Sequence, residues 1–293
     1  MTEHVLADDT VGTFTIGGDL TVRRLGFGAM RISGARNADG ARDREEARRI
    51  VRRVVDRGVN FIDTANIYGY GESEEIIAEA LDPYPDDVVI TTKAGYRPGK
   101  IMPGHITLPA YGHPDHIREE CDKSLKRLRR DVIDLYQVHA PDPTIPYEDT
   151  IGAFVELQQA GKIRHIGISN VTVDQLAYDQ ARCTVVTVQN RYNAGDRNSD
   201  AVLDACTEQG IGFMPWAPVI LPTRRVGIVT QEVADARRAT VQQVALQWLL
   251  HRSPVMLPIP GTSQVAHAES NVDAAWVTLD DSDIARIDTA AGA

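Results

Sequence analysis

Short apolar runs alternate with longer amphipathic stretches along almost the whole chain. β-Branched residues are common in the short runs, which favours strands, and the longer stretches place apolar residues three and four positions apart, which favours helices. An alternation of this kind is typical of βαβ units and a parallel sheet. The pattern predicts strands at 25–30, 60–65, 88–93, 132–139, 165–170, 185–190, 212–217 and 255–259.

Helices are predicted among these strands at 44–57, 73–81, 114–128, 148–160, 172–181, 199–208 and 240–251. Ser73 is expected to cap the second helix, with Glu74 and Glu75 at its positive end. Ahead of the first strand, residues 13–16 and 20–22 flank a Gly-Gly-Asp turn and therefore predict a short hairpin.

Eight strand units match the number that closes a (β/α)₈ barrel, and the 293-residue chain is long enough for one. Because no linker or low-complexity tract divides the sequence, we expect an α/β fold: a single (β/α)₈ TIM barrel domain over residues 1–293 with a short N-terminal β-hairpin. A doubly wound Rossmann sheet is the main alternative, since Gly26 and Gly28 give part of a dinucleotide fingerprint. Arg31 stands at the third glycine position and no helix opens at once, so the barrel is favoured.

Composition and charge limit the possible functions. Hydrophobic residues make up 43% of the chain and charged residues 25%, as in an ordinary globular protein. The net charge of -10 argues against a broad surface for nucleic acid or an anionic membrane. No apolar stretch is long enough for a membrane span, and the first residues lack the order of a signal peptide. We therefore expect a cytoplasmic protein with no nucleic-acid or membrane partner.

Cysteine usage agrees with that location. The three cysteines are widely separated and form no Cys-x-x-Cys pair, so we expect them to be small buried residues. His113, His116 and Cys121 lie close in sequence, but they cross a predicted loop-to-helix boundary without the compact spacing that zinc requires. No metal site is expected.

Four polar residues stand at or just after the carboxyl ends of consecutive strands, where a barrel carries its functional groups. Asp63 lies at the end of the second strand, Tyr68 follows in the next loop, and Lys93 and His139 end the third and fourth strands. Taken singly, each has a structural explanation such as a turn, loop packing or a core histidine. A lysine after the apolar run 88–90 is costly to bury without a partner, however, and Asp63 can be that partner. Together the four residues favour an active site.

These groups suit the reduction of a carbonyl. Hydride delivery to a carbonyl carbon leaves negative charge on oxygen, which needs hydrogen-bond donors and a proton. Tyr68 can supply that proton, and Lys93 is expected to lower the Tyr68 pKa from about 10. Asp63 would neutralise and orient Lys93, while a neutral His139 could donate a hydrogen bond to the carbonyl.

The second half of the chain offers groups for a cofactor. After the eighth strand, a short predicted helix opens at Gly261, Thr262 and Ser263, where backbone N–H groups can hold a phosphate. Hydroxyl, amide and flat aromatic side chains that suit a nicotinamide ring and its carboxamide are Ser169, Asn170, Gln189 and Trp216. Core packing is the alternative role for Trp216.

The sequence resembles the aldo-keto reductase superfamily over nearly its whole length. The resemblance is carried by Asn60-Phe-Ile-Asp-Thr-Ala-x-x-Tyr68-Gly, Thr92-Lys93, Asp134-Leu-Tyr-x-x-His139, Gly161-Lys-Ile-Arg-x-Ile-Gly-Ile-Ser-Asn170 and Ile259-Pro-Gly-Thr-Ser263. It implies NADP(H) extended across the barrel mouth and Tyr68 as general acid. The catalytic tetrad that it implies is Asp63, Tyr68, Lys93 and His139.

The resemblance also implies which residues contact the cofactor. They are Gly28, Ala29, Met30 and Asp63 near the ribose and active site, Ser169, Asn170, Gln189 and Trp216 at the nicotinamide, Ala217, Pro218, Gly261 and Thr262 along the phosphates, and Ser263, Gln264, His267 and Asn271 at the adenine end. Many relatives have serine at position 217, glutamate at position 270, and a lysine or arginine for the 2′-phosphate, and this chain departs from all three. NADPH is still favoured, because Ser263 and His267 can donate to a phosphate.

Within the superfamily, the chain resembles the bacterial pyridoxal reductase-like subgroup at 26–30, 188–193 and 248–254. This implies reduction of pyridoxal or another small carbonyl substrate, and we expect a monomer or weak homo-oligomer. The Pro- and Gly-rich segment 95–112 must shape the pocket, so Tyr96 and Arg97 are expected to contact the substrate. Met30, Tyr68 and His139 are the other expected substrate contacts. A cofactor-sensing regulatory subunit, like the potassium-channel β subunits that resemble reductases, is the alternative function.

Overall fold

The structure of the protein, a computed structural model, describes residues 4–35, 43–99, 101–102, 105–106, 108–220 and 224–292. Its strands are β1 (Thr13–Ile16), β2 (Leu20–Arg23), β3 (Phe27–Gly28), β4 (Phe61–Asp63), β5 (Val89–Ala94), β6 (Ile101–Met102), β7 (His105–Ile106), β8 (Ile133–Val138), β9 (Ile163–Ser169), β10 (Val185–Gln189) and β11 (Gly212–Phe213). Its helices are α1 (Asp8–Val11), α2 (Arg44–Asp56), α3 (Glu72–Leu81), α4 (Pro114–Leu128), α5 (Tyr147–Gln159), α6 (Val173–Gln180), α7 (Asp200–Gln209), α8 (Arg224–Arg237), α9 (Val241–Arg252), α10 (Val265–Asp273) and α11 (Asp281–Ala291).

A parallel sheet with the strand order β11-β10-β9-β8-β5-β4-β3 forms the centre of the described part of the chain. Residues 255–260 take the eighth position and close the ring. On one side they exchange two backbone hydrogen bonds of 2.8 Å with β11. On the other side, Gly26 and Gly28 donate their N–H groups to the carbonyls of Pro258 and Pro260 at 3.0 and 3.1 Å. The result is the predicted (β/α)₈ barrel.

Two prolines explain why the predicted strand 255–259 pairs only through isolated contacts. Proline has no backbone N–H, so it cannot donate to a neighbouring strand. Pro258 and Pro260 still offer their carbonyls, and these accept the hydrogen bonds from the first strand. The segment therefore completes the barrel without forming a regular ladder.

The predicted N-terminal hairpin closes the amino end of the barrel. β1 and β2 pair antiparallel from Thr13–Arg23 to Ile16–Leu20. Its buried side chains join an apolar cluster near the amino ends of the barrel strands, whose members include Ile16, Leu20, Val22, Phe61, Val89, Leu135, Met214 and Leu257. Because this end is filled with apolar side chains, the carboxyl end of the strands is the one available for function.

Most predicted helices and strands are confirmed within a few residues, but the expected cap of α3 is wrong. Gly71 occupies the cap position and contributes no side-chain hydrogen bond. Ser73 instead donates to the Ala29 carbonyl at 2.9 Å and lies 2.8 Å from Thr64 Oγ1. Its buried hydroxyl therefore joins the loops that follow the first two barrel strands.

The remaining differences concern the ends of the chain and the short strands. The first and seventh predicted strands are shorter than expected, because the chain stops pairing with the neighbouring strands after Gly28 and after Phe213. Three helices, α1, α8 and α11, and the short strand pair β6–β7 were not predicted, and α8 and α11 pack against each other near the carboxyl terminus. No helix in the described ranges is both long enough and apolar enough to cross a membrane.

Candidate active site

The predicted catalytic side chains meet at the carboxyl end of the barrel. β4 ends at Asp63, Lys93 is the penultimate residue of β5, and β8 stops one residue before His139. Neighbouring parallel strands end at the same face of a barrel, so their last side chains converge. Tyr68 reaches the same place from the loop after β4, where a 3₁₀ turn over Tyr68–Gly71 begins.

Lys93 lies at the centre of this cluster. Its Nζ donates to Asp63 Oδ2 at 2.7 Å, to the Thr64 carbonyl at 2.7 Å and to Tyr68 Oη at 3.4 Å. Both members of the ion pair are buried. An ammonium has three N–H donors, and all three are used here. The charge of Lys93 is therefore fixed in position relative to the phenol oxygen.

Two glutamines hold the second oxygen of Asp63. Gln189 Nε2 donates to Oδ1 at 2.9 Å, and Gln137 Nε2 does so at 3.3 Å. Gln189 was expected at the cofactor, and sequence reasoning missed Gln137 entirely. Gln137 lies in β8 two residues before His139, which directly follows the strand, and alternate residues of an extended chain share a face. That alternation is the signal that could have found it.

Burial dominates the protonation of Tyr68. It raises the pKa of the phenol above its ordinary value of 10.0, and the Lys93 ammonium offsets only part of the rise. The expectation that Lys93 would bring the Tyr68 pKa below its ordinary value is therefore wrong. Removing the phenolate from water costs more than the attraction to the ammonium returns. Tyr68 consequently holds its proton at pH 7.

The ion pair keeps Lys93 charged. Burial alone would lower the pKa of Lys93, but the attraction to Asp63 reverses this and raises the pKa above 10.5. Burial also raises the pKa of Asp63, while Lys93, Gln189 and Gln137 act in the opposite direction. The site thus combines a buried cation, its counter-ion and a neutral acid.

His139 lies beside Tyr68 and is uncharged at pH 7. Burial, with a further contribution from Lys93, holds the pKa of His139 well below its ordinary value of 6.5. The Tyr68 and His139 ring centroids are 5.9 Å apart in an edge-to-face arrangement, and Tyr96 packs on His139 with centroids 4.6 Å apart. A neutral imidazole and a neutral phenol each offer one hydrogen-bond donor. Together they can bind one carbonyl oxygen.

The loop that carries Tyr68 turns sharply into α3. Gly69, Tyr70 and Gly71 all have left-handed backbone angles, with φ of 61°, 57° and 98°. Glycine adopts this conformation without steric cost, and two of the three positions are glycine. The sharp turn lets α3 begin at once and leaves Tyr70 54% exposed, away from the buried cluster.

Trp216 is held at the barrel mouth through its indole N–H. Trp216 Nε1 donates to Asn170 Oδ1 at 2.9 Å, and Asn170 Nδ2 donates to the His139 carbonyl at 2.9 Å. Ser169 Oγ donates to the Gln189 carbonyl at 2.6 Å. The donors that sequence reasoning assigned to a nicotinamide carboxamide are thus bonded inside the protein. There they orient the tryptophan and the ends of β9 and β10.

Gly28 and Gly261 allow the first and last segments of the barrel to approach each other. A Cβ on Gly28 would lie 2.5 Å from the Ile259 carbonyl oxygen, and a Cβ on Gly261 would lie 2.4 Å from the Gly28 oxygen. Both glycines are therefore required for barrel closure. Beyond Gly28, Ala29 is buried and Met30 is 54% exposed.

Ala217 and Pro218 follow Trp216 in the loop after β11. Ala217 has a left-handed backbone with φ of 56°, and its carbonyl accepts from Asn193 Nδ2 at 3.1 Å. Pro218 is buried. The backbone of this loop is thus fixed next to the tryptophan.

α10 begins where the short helix was predicted. At its start, Gln264 N donates to Thr262 Oγ1 at 3.2 Å, and Val265 N donates to Glu46 Oε1 at 3.5 Å. Glu46 comes from α2, where it pairs with Arg49 at 2.8 Å. Sequence reasoning missed Glu46, because nothing in the sequence connects α2 with α10. Side chains at this helix that are at least partly exposed include Ser263, Gln264, His267 and Asn271.

Tyr96 and Arg97, both predicted to reach substrate, have different surroundings. Tyr96 packs on His139, and its backbone bridges Ala110 in antiparallel fashion. Arg97 lies 4.5 Å from the ring centroid of Tyr111. Arg97 thus packs on an aromatic ring of the same segment. Positions 100, 103, 104 and 107 of this segment lie outside the described residues.

No group of three or more His, Cys, Asp or Glu side chains within the described residues could hold a metal ion. His113 Nδ1 accepts from Asp115 N at 3.3 Å, and His116 Nε2 lies 3.2 Å from the Tyr96 carbonyl. Cys121 is buried. These three side chains are thus engaged in helix capping, loop attachment and core packing.

Comparison with known proteins gives one consistent result. The aldo/keto reductase family model matches residues 24–291. The pyridoxine 4-dehydrogenase of Escherichia coli is 39% identical over 282 residues, covering 94% of this chain and 97% of that protein. An uncharacterized oxidoreductase of Schizosaccharomyces pombe is 39% identical over 278 residues, covering 94% and 89%. The crystal structure of an aldo/keto reductase from Klebsiella pneumoniae in complex with NADPH aligns with a TM-score of 0.77 at 25% identity, covering 94% of each chain.

Proposed function

The chain belongs to the aldo/keto reductase family of oxidoreductases, and from this we propose that it reduces an aldehyde or ketone to an alcohol with NADPH, Tyr68 being the proton donor. One observation carries the proposal. Lys93 Nζ lies 2.7 Å from Asp63 Oδ2 and 3.4 Å from Tyr68 Oη, inside a buried cluster. A buried cation beside a neutral phenol is what proton transfer to a nascent alkoxide requires.

Tyr68 gives its proton to the carbonyl oxygen as negative charge develops there. The phenolate that remains would be unstable in a buried site, but Lys93 already donates a hydrogen bond to Tyr68 Oη and stabilises that charge. Asp63 keeps Lys93 charged and in place. The raised pKa of Tyr68 thus retains the proton before the reaction, and Lys93 stabilises the charge afterwards.

His139 positions the substrate. Its neutral imidazole can donate to the carbonyl oxygen without competing for the proton. Tyr96 packs against the imidazole, which restricts the rotation of the ring. Met30, exposed after β3, and Arg97 complete the set of side chains that we propose contact the substrate.

NADPH supplies the hydride when it is bound. The side chains present fit this cofactor by their chemistry. The hydroxyls of Thr262 and Ser263 and the imidazole of His267 suit a phosphate, and the ring of Trp216, oriented by Asn170, suits a nicotinamide. The crystal structure of the relative from Klebsiella pneumoniae is a complex with NADPH, which supports the same cofactor here.

Pyridoxal or another small aldehyde is the proposed substrate, because the relative from Escherichia coli is a pyridoxine 4-dehydrogenase. A cytoplasmic location and a monomeric or weakly associated state belong to the same proposal. The regulatory alternative is not favoured, since the relatives described above are named as a dehydrogenase, a reductase and an uncharacterized oxidoreductase.

The test is Tyr68→Phe, with Tyr70→Phe as the matched control in the same loop. Removing the phenol hydroxyl should lower kcat for pyridoxal and for 4-nitrobenzaldehyde by about 100-fold or more, because the general acid is lost. The dissociation constant for NADPH, measured by quenching of tryptophan fluorescence, should stay within about twofold by the same reasoning. Tyr70 is exposed, so its variant should retain normal turnover. Near-normal turnover by Tyr68→Phe would contradict the assignment of the proton donor.

A further inference from the structure

A carboxylate from α2 lies at the start of α10, where the proposed cofactor would place its adenosine. Glu46 Oε1 accepts from Val265 N at 3.5 Å, and Glu46 Oε2 is 2.8 Å from the Arg49 guanidinium. The Glu46 side chain is 19% exposed and that of Arg49 is 58% exposed. The carboxylate therefore bridges the positive end of a helix and a cation open to solvent.

In the described part of the chain, the arginines that pair with acidic residues of α10, or with the carboxylate at its start, come from α2 or directly follow it. Residues 260–273 contain no lysine or arginine, so α10 and the loop before it offer a phosphate no permanent positive side chain. Arg53 and Arg57 pair with acidic residues further along α10. Arg49 pairs with Glu46, whose other carboxylate oxygen accepts from the first N–H group of α10, and it also lies 4.0 Å from Asp43. Among the described residues, Arg49 is thus a partly exposed guanidinium bonded to the carboxylate that contacts the start of α10.

A carboxylate and a guanidinium favour opposite forms of an adenine dinucleotide. The carboxylate accepts a hydrogen bond from a ribose 2′-hydroxyl and repels a 2′-phosphate. The guanidinium binds the phosphate through charge-assisted hydrogen bonds. Since Glu46 and Arg49 now satisfy each other, either cofactor must exchange part of that ion pair for its own contact.

We infer that the Glu46–Arg49 pair sets the preference between 2′-phosphorylated and unphosphorylated cofactor, an inference that rests on the proposed function. With Glu46 at the helix start, the site accepts the 2′-hydroxyl of NADH. With Arg49 turned to the phosphate, it accepts NADPH. Removing the Glu46 carboxylate should therefore favour NADPH, and removing the Arg49 guanidinium should favour NADH.

Glu46→Gln and Arg49→Gln test this, with Glu45→Gln as the control. Glutamine at position 46 still offers an oxygen to Val265 N, so the start of α10 is preserved. Glu45 lies on the same helix and pairs with Arg48 and Arg52, away from α10. Two readouts are needed. One is the affinity for adenosine 2′,5′-bisphosphate and for AMP by titration calorimetry, which does not involve catalysis. The other is the ratio of kcat/KM for NADPH to that for NADH.

Loss of one nearby charge should change bisphosphate affinity by about tenfold. Glu46→Gln should tighten it and Arg49→Gln should weaken it, while AMP affinity stays within about twofold. The kcat/KM ratio should follow the same directions, and Glu45→Gln should change neither. If both variants still turn over but their affinity for adenosine 2′,5′-bisphosphate is unchanged, the inference about Glu46 and Arg49 is overturned while the reductase proposal stands. The expected binding pattern without turnover would support the inference and reject the reductase proposal, and absence of bisphosphate binding in every variant would reject both.

Discussion

Asp179 gives a quantitative prediction for stability, because its carboxyl is buried without a counter-ion. The side chain lies on α6 and is fully buried. Tyr147 Oη donates to Oδ2 at 3.1 Å, and Oδ1 has no hydrogen-bond partner among the described residues. Burial raises the pKa of this carboxyl from 3.8 to about 7, although Tyr147 and Arg182 act in the opposite direction. We therefore expect Asp179→Asn to change how stability depends on pH.

The direction follows from the two protonation states. Below pH 3.8 the carboxyl is protonated in both the folded and the unfolded chain. Between 3.8 and about 7 the unfolded chain releases this proton while the folded chain keeps it, so the free energy of unfolding falls as pH rises. Each pH unit in that window is worth about 1.4 kcal/mol, which makes the full loss about 4 kcal/mol above pH 7. Asparagine cannot ionise and avoids this loss.

Urea unfolding at pH 5.5 and pH 8 measures the effect. The unfolding free energy of Asp179→Asn relative to wild type should increase by about 2 kcal/mol between those two pH values. A constant offset of about 1–3 kcal/mol is expected as well, because the amide N–H that replaces Oδ1 lacks an acceptor, but it cancels in this comparison. Asp174→Asn, on the exposed part of the same helix, controls for removal of a charge from α6. A difference between variant and wild type that is the same at both pH values would refute the reasoning.

Two further predictions concern buried contacts that support the site. Arg127→Met should destabilise the protein by about 3–5 kcal/mol, because Glu74 is fully buried and Arg127 is its ion-pair partner at 2.5 Å. Gly261→Ala should prevent stable folding or shift the barrel seam, since the new methyl would lie 2.4 Å from the Gly28 carbonyl oxygen. Gly152→Ala, in open space on α5, should instead stabilise by about 1 kcal/mol.

Thermal and urea unfolding, followed by circular dichroism, measure the stability of the Arg127→Met and Gly261→Ala variants. For the ion pair, the double variant Glu74→Gln with Arg127→Met should recover part of the loss, because no unpaired charge remains. If Arg127→Met alone has the same free energy of unfolding as the wild type, the buried Glu74 carboxylate does not need Arg127 as its ion-pair partner. For the barrel seam, a Gly261→Ala protein as stable as Gly152→Ala would contradict the close approach.

The fold and the clustering of the four proposed catalytic side chains were predictable, because in a parallel barrel the position of a residue along its strand determines the end of the barrel at which it lies. Every strand ends at the same face, so a polar residue that ends an apolar run already indicates where its side chain lies. Asp63, Lys93 and His139 satisfy this rule directly. Tyr68 lies in a loop, but that loop follows β4 at the carboxyl end of the barrel, where Lys93 and His139 also lie.

The rest of the site depends on contacts between distant segments, which the order of residues does not encode. Gln137 and Gln189 bond to Asp63 across the barrel interior. Glu46 meets α10 from a helix more than two hundred residues earlier. The protonation of Tyr68 depends on burial and on Lys93 acting in opposite directions, and their balance cannot be judged before the depth of the side chain is known.

Burial that makes Tyr68 hold its proton also makes Lys93 effective. An ammonium and a phenolate at the observed 3.4 Å attract each other by about 1 kcal/mol in water but by about 5 kcal/mol at an effective dielectric constant of about 20. The apolar cluster beneath the site and the hairpin that closes the barrel exclude water from this region. In a wetter site the phenol would ionise more easily before the reaction, yet the charge formed during it would gain less from Lys93. In the proposed mechanism, the filled amino end of the barrel therefore contributes to acid catalysis by Tyr68, because it provides the low-dielectric medium in which the phenol keeps its proton and Lys93 stabilises the phenolate.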